Sequence, residues 1–201
     1  MDYRKSISGV LGLIGRTILG AIVGLLAALG VNPNVLTLIG LLINIFAAVL
    51  LGKGMFTLAG LVILFASVFD MVDGEVARRT GRVTKFGAFF DSVIDRYSDM
   101  VLFVGLVIWY AKLDRLFYLG LVGLSLIGSI MTSYTRARAE SLIQTCKVGF
   151  LERPERIVLL IIGCLSNRMG AAIWVMAVVS NWTVVSRICY TYGESKRLER
   201  T

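Results

Sequence analysis

The chain has 201 residues, of which 57% are hydrophobic, and a formal net charge of +8. Its mean hydropathy of +0.80 indicates an integral membrane protein and excludes an ordinary soluble domain. The absence of histidine from the sequence excludes histidine-based catalysis and most zinc sites. Any bound metal should therefore have oxygen ligands, which favours Mg²⁺ or Mn²⁺. The basic charge suits a membrane surface better than nucleic acid, so no nucleic-acid partner is predicted.

Residues 1–30 are apolar and Gly-rich, with scattered Arg and Lys. This composition suits either a short transmembrane helix or an amphipathic helix at the membrane interface. Asn32-Pro33-Asn34 then breaks the chain and offers Asn34 as an N-cap. No linker or internal repeat divides the sequence, so residues 1–201 are predicted to form a single membrane domain.

Six apolar segments follow this break, and each predicts a helix. The predicted ranges are 35–52, 55–79, 86–110, 116–140, 154–165 and 169–192. The sequence thus predicts an all-α fold, a multi-pass bundle of six transmembrane helices over residues 34–192. With a cytoplasmic N-terminus, all but four of the 21 Lys and Arg lie on the cytoplasmic side. The four exceptions are Lys53, Lys112, Arg115 and Arg168.

Four carboxylates stand out near the middle of this apolar chain. Asp70 and Asp73 are spaced i, i+3 at the end of the second predicted helix. Asp91 and Asp95 are spaced i, i+4 near the start of the third. The short loop between these helices predicts that they are antiparallel neighbours and that the four acids meet. Because the acids would repel one another without cations, the stretch predicts a site for two divalent ions.

The same stretch contains a longer motif, D-x-x-D-G-x-x-A-R-x8-G-x3-D-x3-D. Its fixed residues are Asp70, Asp73, Gly74, Ala77, Arg78, Gly87, Asp91 and Asp95. The motif resembles the signature of the CDP-alcohol phosphotransferase family at every fixed position. The resemblance implies a six-helix membrane enzyme, usually a homodimer, in which an acceptor alcohol displaces CMP from a CDP-linked donor. It also implies that residues 1–30 form mainly an interfacial helix beside the membrane.

The resemblance further implies individual roles. Asp70, Asp73, Asp91 and Asp95 would bind the metal ions, and Asp95 would also be the general base on the acceptor hydroxyl. The residues that would contact the CDP part are Asn34, Val35, Leu36, Thr37, Asp73, Gly74, Ala77, Arg78 and Thr84. The cationic loop after the second helix could hold further phosphate oxygens. The active site would face the cytoplasm at the inner membrane.

Two later segments bear on the acceptor. The runs SYTRARAE (133–140) and ERPER (152–156) resemble the subgroup that makes phosphatidylinositol phosphate and its archaeal counterpart. That resemblance implies a phosphorylated polyol acceptor, namely inositol phosphate, and a CDP-lipid donor that is either a diacyl or a diether lipid. A phosphorylated acceptor needs its own cationic pocket. Arg136, Arg153 and Arg187 are predicted to form it, with Arg156 as the substitute for Arg153.

Two alternatives stay open at this stage. A glycerol 3-phosphate acceptor would need the same kind of cationic pocket. A divalent cation transporter could also use four acids, but the acids lie toward one face, and the neighbouring basic loop suits phosphate. Asp99 follows Asp95 by one helical turn, and the sequence leaves open whether it supports the site or merely packs beside Arg96.

Overall fold

The computed structural model describes residues 20, 23–25 and 28–199, and this part of the chain is helical with no strand. The predicted all-α fold class is confirmed. Six helices follow Asn32: α1 (Pro33–Gly52), α2 (Phe56–Arg79), α3 (Lys85–Lys112), α4 (Leu116–Ala139), α5 (Arg153–Leu165) and α6 (Met169–Leu198). The predicted interfacial helix over residues 1–30 lies largely outside the described residues and stays a prediction.

The starts of α1 and α3 are fixed by polar caps. The Asn32 side chain accepts a hydrogen bond of 3.0 Å from the backbone N–H of Asn34. Asn32 is therefore the cap, and the prediction of Asn34 was wrong, because Pro33 already has a suitable φ for the first helical position. At α3, Thr84 Oγ1 accepts from the N–H of Gly87 at 2.9 Å.

The main helix contacts form a closed ring in the order α1, α2, α5, α6, α4, α3 and back to α1. The short loop between α2 and α3 had predicted that these helices are neighbours, and this prediction was wrong: they are not adjacent in the ring. Both pack on α1, which approaches α3 closely: a Cβ on Gly105 would lie 2.4 Å from the carbonyl oxygen of Ala48. Since α1 separates α2 from α3, space is left between their acidic ends.

An apolar core joins all six helices. It includes Leu51, Ile63, Leu102, Phe103, Leu106, Val122, Leu160, Ile173 and Met176. At one end of the bundle, Lys112 Nζ donates to the carbonyl of Gly52 at 3.0 Å, which brings the ends of α1 and α3 together. The acidic motif lies at the opposite end, so the core holds the site at one face of the bundle.

Four of the described helices, α1, α2, α4 and α6, are long and apolar enough to cross a membrane. The chain is therefore a membrane protein. Helix α5 has 13 residues, a length of about 20 Å, against a hydrocarbon core of about 30 Å. Helix α3 has 28 residues but carries the acids of the motif. The predicted count of six membrane spans is thus not established by length and composition.

Candidate active site

The acidic motif meets an arginine from a distant part of the sequence. Arg153, the first residue of α5, donates from Nη2 to Asp70 Oδ2 at 3.0 Å. Its Nη1 lies 2.9 Å from Asp95 Oδ1. The side chain of Arg153 is 27% exposed, and those of Asp70 and Asp95 are 25% and 22% exposed. One guanidinium therefore joins the acidic ends of α2 and α3 at the bundle surface.

A second acid lies deeper on the same face of α3. Asp99, whose side chain is 8% exposed, accepts from Arg153 Nε at 3.3 Å and from Arg156 Nη2 at 3.0 Å. Ser129 Oγ donates to the second Asp99 oxygen at 3.4 Å. Asp99 therefore does not merely pack beside Arg96, which was one of the two readings that the sequence left open.

Two cavities open beside these acids, at the same end of the bundle. The larger, of about 340 Å³, is called the arginine cavity here. Its charged lining consists of Asp95, Arg96, Asp99, Arg136, Glu140, Glu152, Arg153, Arg156 and Arg187. The smaller, of about 290 Å³, is called the motif cavity. Its lining includes Asn34, Thr37, Gly74, Ala77, Arg78, Arg82, Thr84, Gly87 and Asp91.

Six of the nine residues predicted to contact CDP line the motif cavity. Val35 and Leu36 do not: Val35 is exposed elsewhere on α1, and Leu36 is buried in a small apolar cluster with Val72 and Val76. Their side chains face away because successive positions on a helix point in different directions. The ninth residue is Asp73, and its side chain lies outside the described part of the structure.

The three predicted acceptor-binding arginines all line the arginine cavity. Two of them share one carboxylate: Glu152 Oε1 accepts from Arg136 Nη1 at 2.6 Å and from Arg187 Nη2 at 3.1 Å. The Arg187 side chain is 1% exposed and also donates to the carbonyls of Val148 and Thr132. Arg136 Nε donates to Glu140 at 3.1 Å, and this hydrogen bond lowers the pKa of Glu140.

The loop before α5 is fixed against α6. Gly149 has φ +104°, and a Cβ there would lie 2.3 Å from Thr183 Cγ2. Thr183 Oγ1 accepts from the N–H of Phe150 at 3.0 Å. Leu151 has φ +55°, which is unfavourable for a branched side chain, and its carbonyl accepts from Arg156 Nη1 at 3.0 Å. These contacts hold Glu152 and Arg153 at the mouth of the cavity.

The chemistry of the acids fits a divalent cation. Their donors are all carboxylate oxygens, which Mg²⁺ and Mn²⁺ prefer, and Asp70 and Asp95 already share one cation, the Arg153 guanidinium. Among the described side chains, no three acids or thiols lie close enough to one another to form a metal site. Asp73, the predicted fourth ligand, is not among them. Arg153 stands between Asp70 and Asp95, so it would have to move for both to bind one ion.

Sequence reasoning assigned no role to Glu152 and left Asp99 undecided. For Asp99, the i, i+4 spacing from Asp95 was a usable signal, because it places both acids on one face of α3. For Glu152, the sequence carries no comparable signal, since its partners are 16 and 35 residues away. The partners of both residues became known only from contacts between distant parts of the chain.

The two motif acids of α3 line different cavities: Asp91 lines the motif cavity, and Asp95 lines the arginine cavity. Two cavities with charged residues in their linings, at one end of an apolar bundle, provide room for two ligands beside the motif acids. An ion path through the bundle would instead place acids near its middle.

Comparison with known proteins gives the family. The CDP-alcohol phosphatidyltransferase family profile matches residues 30–186, and the chain belongs to this family. It is therefore a CMP-releasing transferase, as its motif predicted. The archaetidylinositol phosphate synthase of Pyrococcus horikoshii is 38% identical over 197 residues, which cover 98% of this chain and 96% of the relative.

Solved structures show the same similarity. The phosphatidylinositol phosphate synthase of Mycobacterium tuberculosis with CDP-DAG bound has a TM-score of 0.82 and 31% identity, covering 88% of this chain and 94% of that one. A complex of the same enzyme with manganese and citrate has a TM-score of 0.80 and 32% identity, covering 87% and 88%. The fold of the described helices is thus shared with an enzyme that binds a CDP-linked lipid.

Proposed function

We propose that this enzyme transfers a phosphatidyl-type group from a CDP-linked lipid to inositol phosphate and releases CMP. The acceptor hydroxyl oxygen forms a bond to the β-phosphorus of the donor. The bond from that phosphorus to the bridging oxygen breaks, and the oxygen leaves with CMP. The product is a phosphatidylinositol phosphate or its diether counterpart. The similarity to an archaetidylinositol phosphate synthase and to a phosphatidylinositol phosphate synthase with CDP-DAG bound supports this assignment.

One observation carries the proposal: adjacent acids of α3 line separate cavities. Asp91 lines the motif cavity together with Arg78, where the CDP part of the donor would bind. Asp95 lines the arginine cavity, where the acceptor would bind. Because Asp91 and Asp95 are one helical turn apart, a donor phosphate and an acceptor hydroxyl on the two sides would be neighbours.

Individual residues would act as follows. Asp95 would take the proton of the attacking hydroxyl, since it lines the acceptor side of the cluster. Arg78 would bind phosphate oxygens of the donor, and the small residue Gly74 would let the donor approach the α2 backbone. Asp70, Asp73, Asp91 and Asp95 would hold Mg²⁺ or Mn²⁺, with two ions per site. When bound, the ions would neutralise the diphosphate and the departing CMP.

The acceptor phosphate would be held by Arg136, Arg153 and Arg187. All three line the arginine cavity, and guanidinium groups bind phosphate with two parallel hydrogen bonds. Two of them now share Glu152, an anion that occupies the place a phosphate would take. Glycerol 3-phosphate carries the same phosphate and is the alternative acceptor.

We further propose that the whole chain, 1–201, is one domain that crosses the inner membrane six times, with the acidic end facing the cytoplasm. The positions of Lys53, Lys112, Arg115 and Arg168 support this orientation, because all four lie at helix ends away from the acids. A homodimer is proposed from the family resemblance alone.

The activity can be tested with purified protein, Mg²⁺ or Mn²⁺, and CDP-linked diacyl and diether lipids. CMP release would be measured with inositol phosphate, glycerol 3-phosphate, inositol and serine. We expect inositol phosphate to give the highest kcat/KM. A higher value with glycerol 3-phosphate would favour the alternative acceptor, and no stimulation by any phosphorylated acceptor would refute the proposal.

A further inference from the structure

Asp99 occupies a position that the reaction itself does not explain. It lies one turn deeper in α3 than Asp95, and its polar contacts are with Arg153, Arg156 and Ser129. Its two oxygens accept hydrogen bonds from Arg153 and Arg156, which are three residues apart on α5. A buried carboxylate that holds two guanidinium groups fixes the position of both.

The three nitrogens of the Arg153 guanidinium go to three different carboxylates. Nη2 contacts Asp70, Nη1 contacts Asp95, and Nε contacts Asp99. Asp70 and Asp95 are proposed metal ligands, and Asp95 is the proposed base, so both have other partners during the reaction. Asp99 has no such role. It is therefore the carboxylate that can keep Arg153 at the cavity while the Nη1 and Nη2 edge is free for a phosphate.

Arg156 also holds Asp99 in place, through an ion pair of 3.0 Å. Its side chain is 3% exposed, and its Nη1 donates to the carbonyl of Leu151 while its Nη2 donates to Asp99. Arg156 therefore neutralises Asp99 and links it to the loop that precedes α5. Because Asp99 is already paired with Arg156, Arg153 is held by a fixed anchor rather than by a mobile surface acid.

We propose that Asp99 is a positioning residue that sets Arg153 for the phosphate of the acceptor. The inference rests on the proposed function, because it assigns Arg153 to a phosphorylated acceptor. It explains how Arg153 can form an ion pair with Asp95, the proposed base, and can also bind the phosphate of the acceptor. Asp99 would act on the acceptor through Arg153, whose Nε it binds.

The first test compares Asp99→Asn with wild type in both KM values and in the binding of inositol phosphate by calorimetry without donor. We expect the KM for inositol phosphate to rise by about ten- to hundredfold, with a parallel loss of binding, and the KM for the CDP-linked lipid to stay near wild type. Ser129→Ala is the matched control, because it removes the neutral contact to Asp99 and keeps the charge. It should leave both KM values unchanged.

Asp99→Asn leaves Arg156 without its buried partner and could fail to fold. Asp99→Glu retains the charge and moves the carboxylate by one methylene, so it should give the same selective rise in acceptor KM. In an Arg153→Gln background, Asp99→Glu should add no further rise. Equal changes in both KM values, or an additive effect with Arg153→Gln, would overturn the inference.

Different results would refute the proposed function and the inference about Asp99. If wild-type protein binds no inositol phosphate and shows no CMP release with it, the proposed function is wrong and the inference falls with it. If wild-type protein uses the acceptor but the Asp99 variants lower only the melting temperature, Asp99 is a structural residue and the proposed function stands.

Discussion

Arg153 Nη1 lies 2.9 Å from Oδ1 of Asp95, so the proposed acceptor-binding arginine forms an ion pair with the proposed general base. The guanidinium occupies Oδ1 of Asp95, so an acceptor hydroxyl cannot approach this oxygen while the ion pair is closed. The ion pair must therefore open before Oδ1 of Asp95 can take a proton from the acceptor. Binding of the acceptor phosphate to Arg153 would open it and would thus couple acceptor binding to the release of the base.

Asp95→Asn should abolish turnover while leaving the fold intact. The amide keeps the shape of the side chain but cannot accept the proton, and loss of a general base typically lowers kcat by about 10²–10⁴-fold. CMP release and the melting temperature would be measured together. Asp114→Asn is the matched control, because Asp114 is an exposed acid in the turn between α3 and α4, at the other end of the bundle. Turnover near wild type in Asp95→Asn would exclude Asp95 as the base.

Arg153→Gln should bind Mn²⁺ more tightly than wild type in the absence of substrates. The guanidinium now neutralises Asp70 and Asp95, and its removal leaves their charge available to a metal ion. We expect affinity to rise by about tenfold, equivalent to about 1.4 kcal/mol, measured by electron paramagnetic resonance of free Mn²⁺. Arg115→Gln, at the opposite end of the bundle, controls for the loss of one positive charge. Weaker binding in Arg153→Gln would show that Arg153 does not compete with the metal.

The helix ranges were largely predictable from the sequence, because the residues that start and end helices act locally. The Asn32-Pro33-Asn34 break, the Gly52–Gly54 turn and the basic loop after Arg79 divide the apolar runs, and the helices begin and end within a few residues of the predicted ranges. The predicted helix ranges correctly placed Asp70 in the C-terminal half of α2 and Asp91 and Asp95 in the first half of α3. Within one helix, spacing alone determines which side chains are neighbours.

Contacts between helices were not predictable in this way. Arg153 meets Asp70 across 83 residues and Asp99 across 54, and no spacing rule connects such positions. The ring order was also missed, because a short loop suggests that the helices it joins pack together, whereas α1 packs on both α2 and α3. The motif cavity is lined by α1, α2 and α3, and the arginine cavity by α3, α4, α5 and α6, so the positions of both depend on contacts between helices.

Arg78→Ala should raise the KM for the CDP-linked lipid and leave the KM for the acceptor unchanged. Arg78 lines the motif cavity, and loss of one charge-assisted phosphate contact of about 1.5 kcal/mol predicts a rise of about tenfold. Arg79→Ala is a close control. Both arginines form ion pairs with Glu75, at 2.9 and 3.2 Å, but Arg79 does not line the cavity. Equal effects of the two substitutions would mean that the Glu75 ion pairs, and not donor binding, are responsible.

Glu152→Gln should lower the KM for a phosphorylated acceptor. Glu152 now accepts from both Arg136 and Arg187, and an acceptor phosphate must displace it to reach them. The Glu152 side chain is 42% exposed, and ion pairs near the surface contribute about 0.2–1 kcal/mol, so we expect the KM to fall by up to about fivefold. Glu155→Gln, an exposed acid in the first turn of α5 that lines neither cavity, is the control.

The direction of the Glu152→Gln effect decides what the carboxylate does. A lower KM with inositol phosphate and with glycerol 3-phosphate alike means that Glu152 competes with the phosphate group itself. A higher KM with inositol phosphate alone would contradict the prediction, because it would mean that Glu152 accepts hydrogen bonds from the polyol hydroxyls. Since Arg187 is buried and loses part of its neutralisation in this variant, the melting temperature should fall in either case.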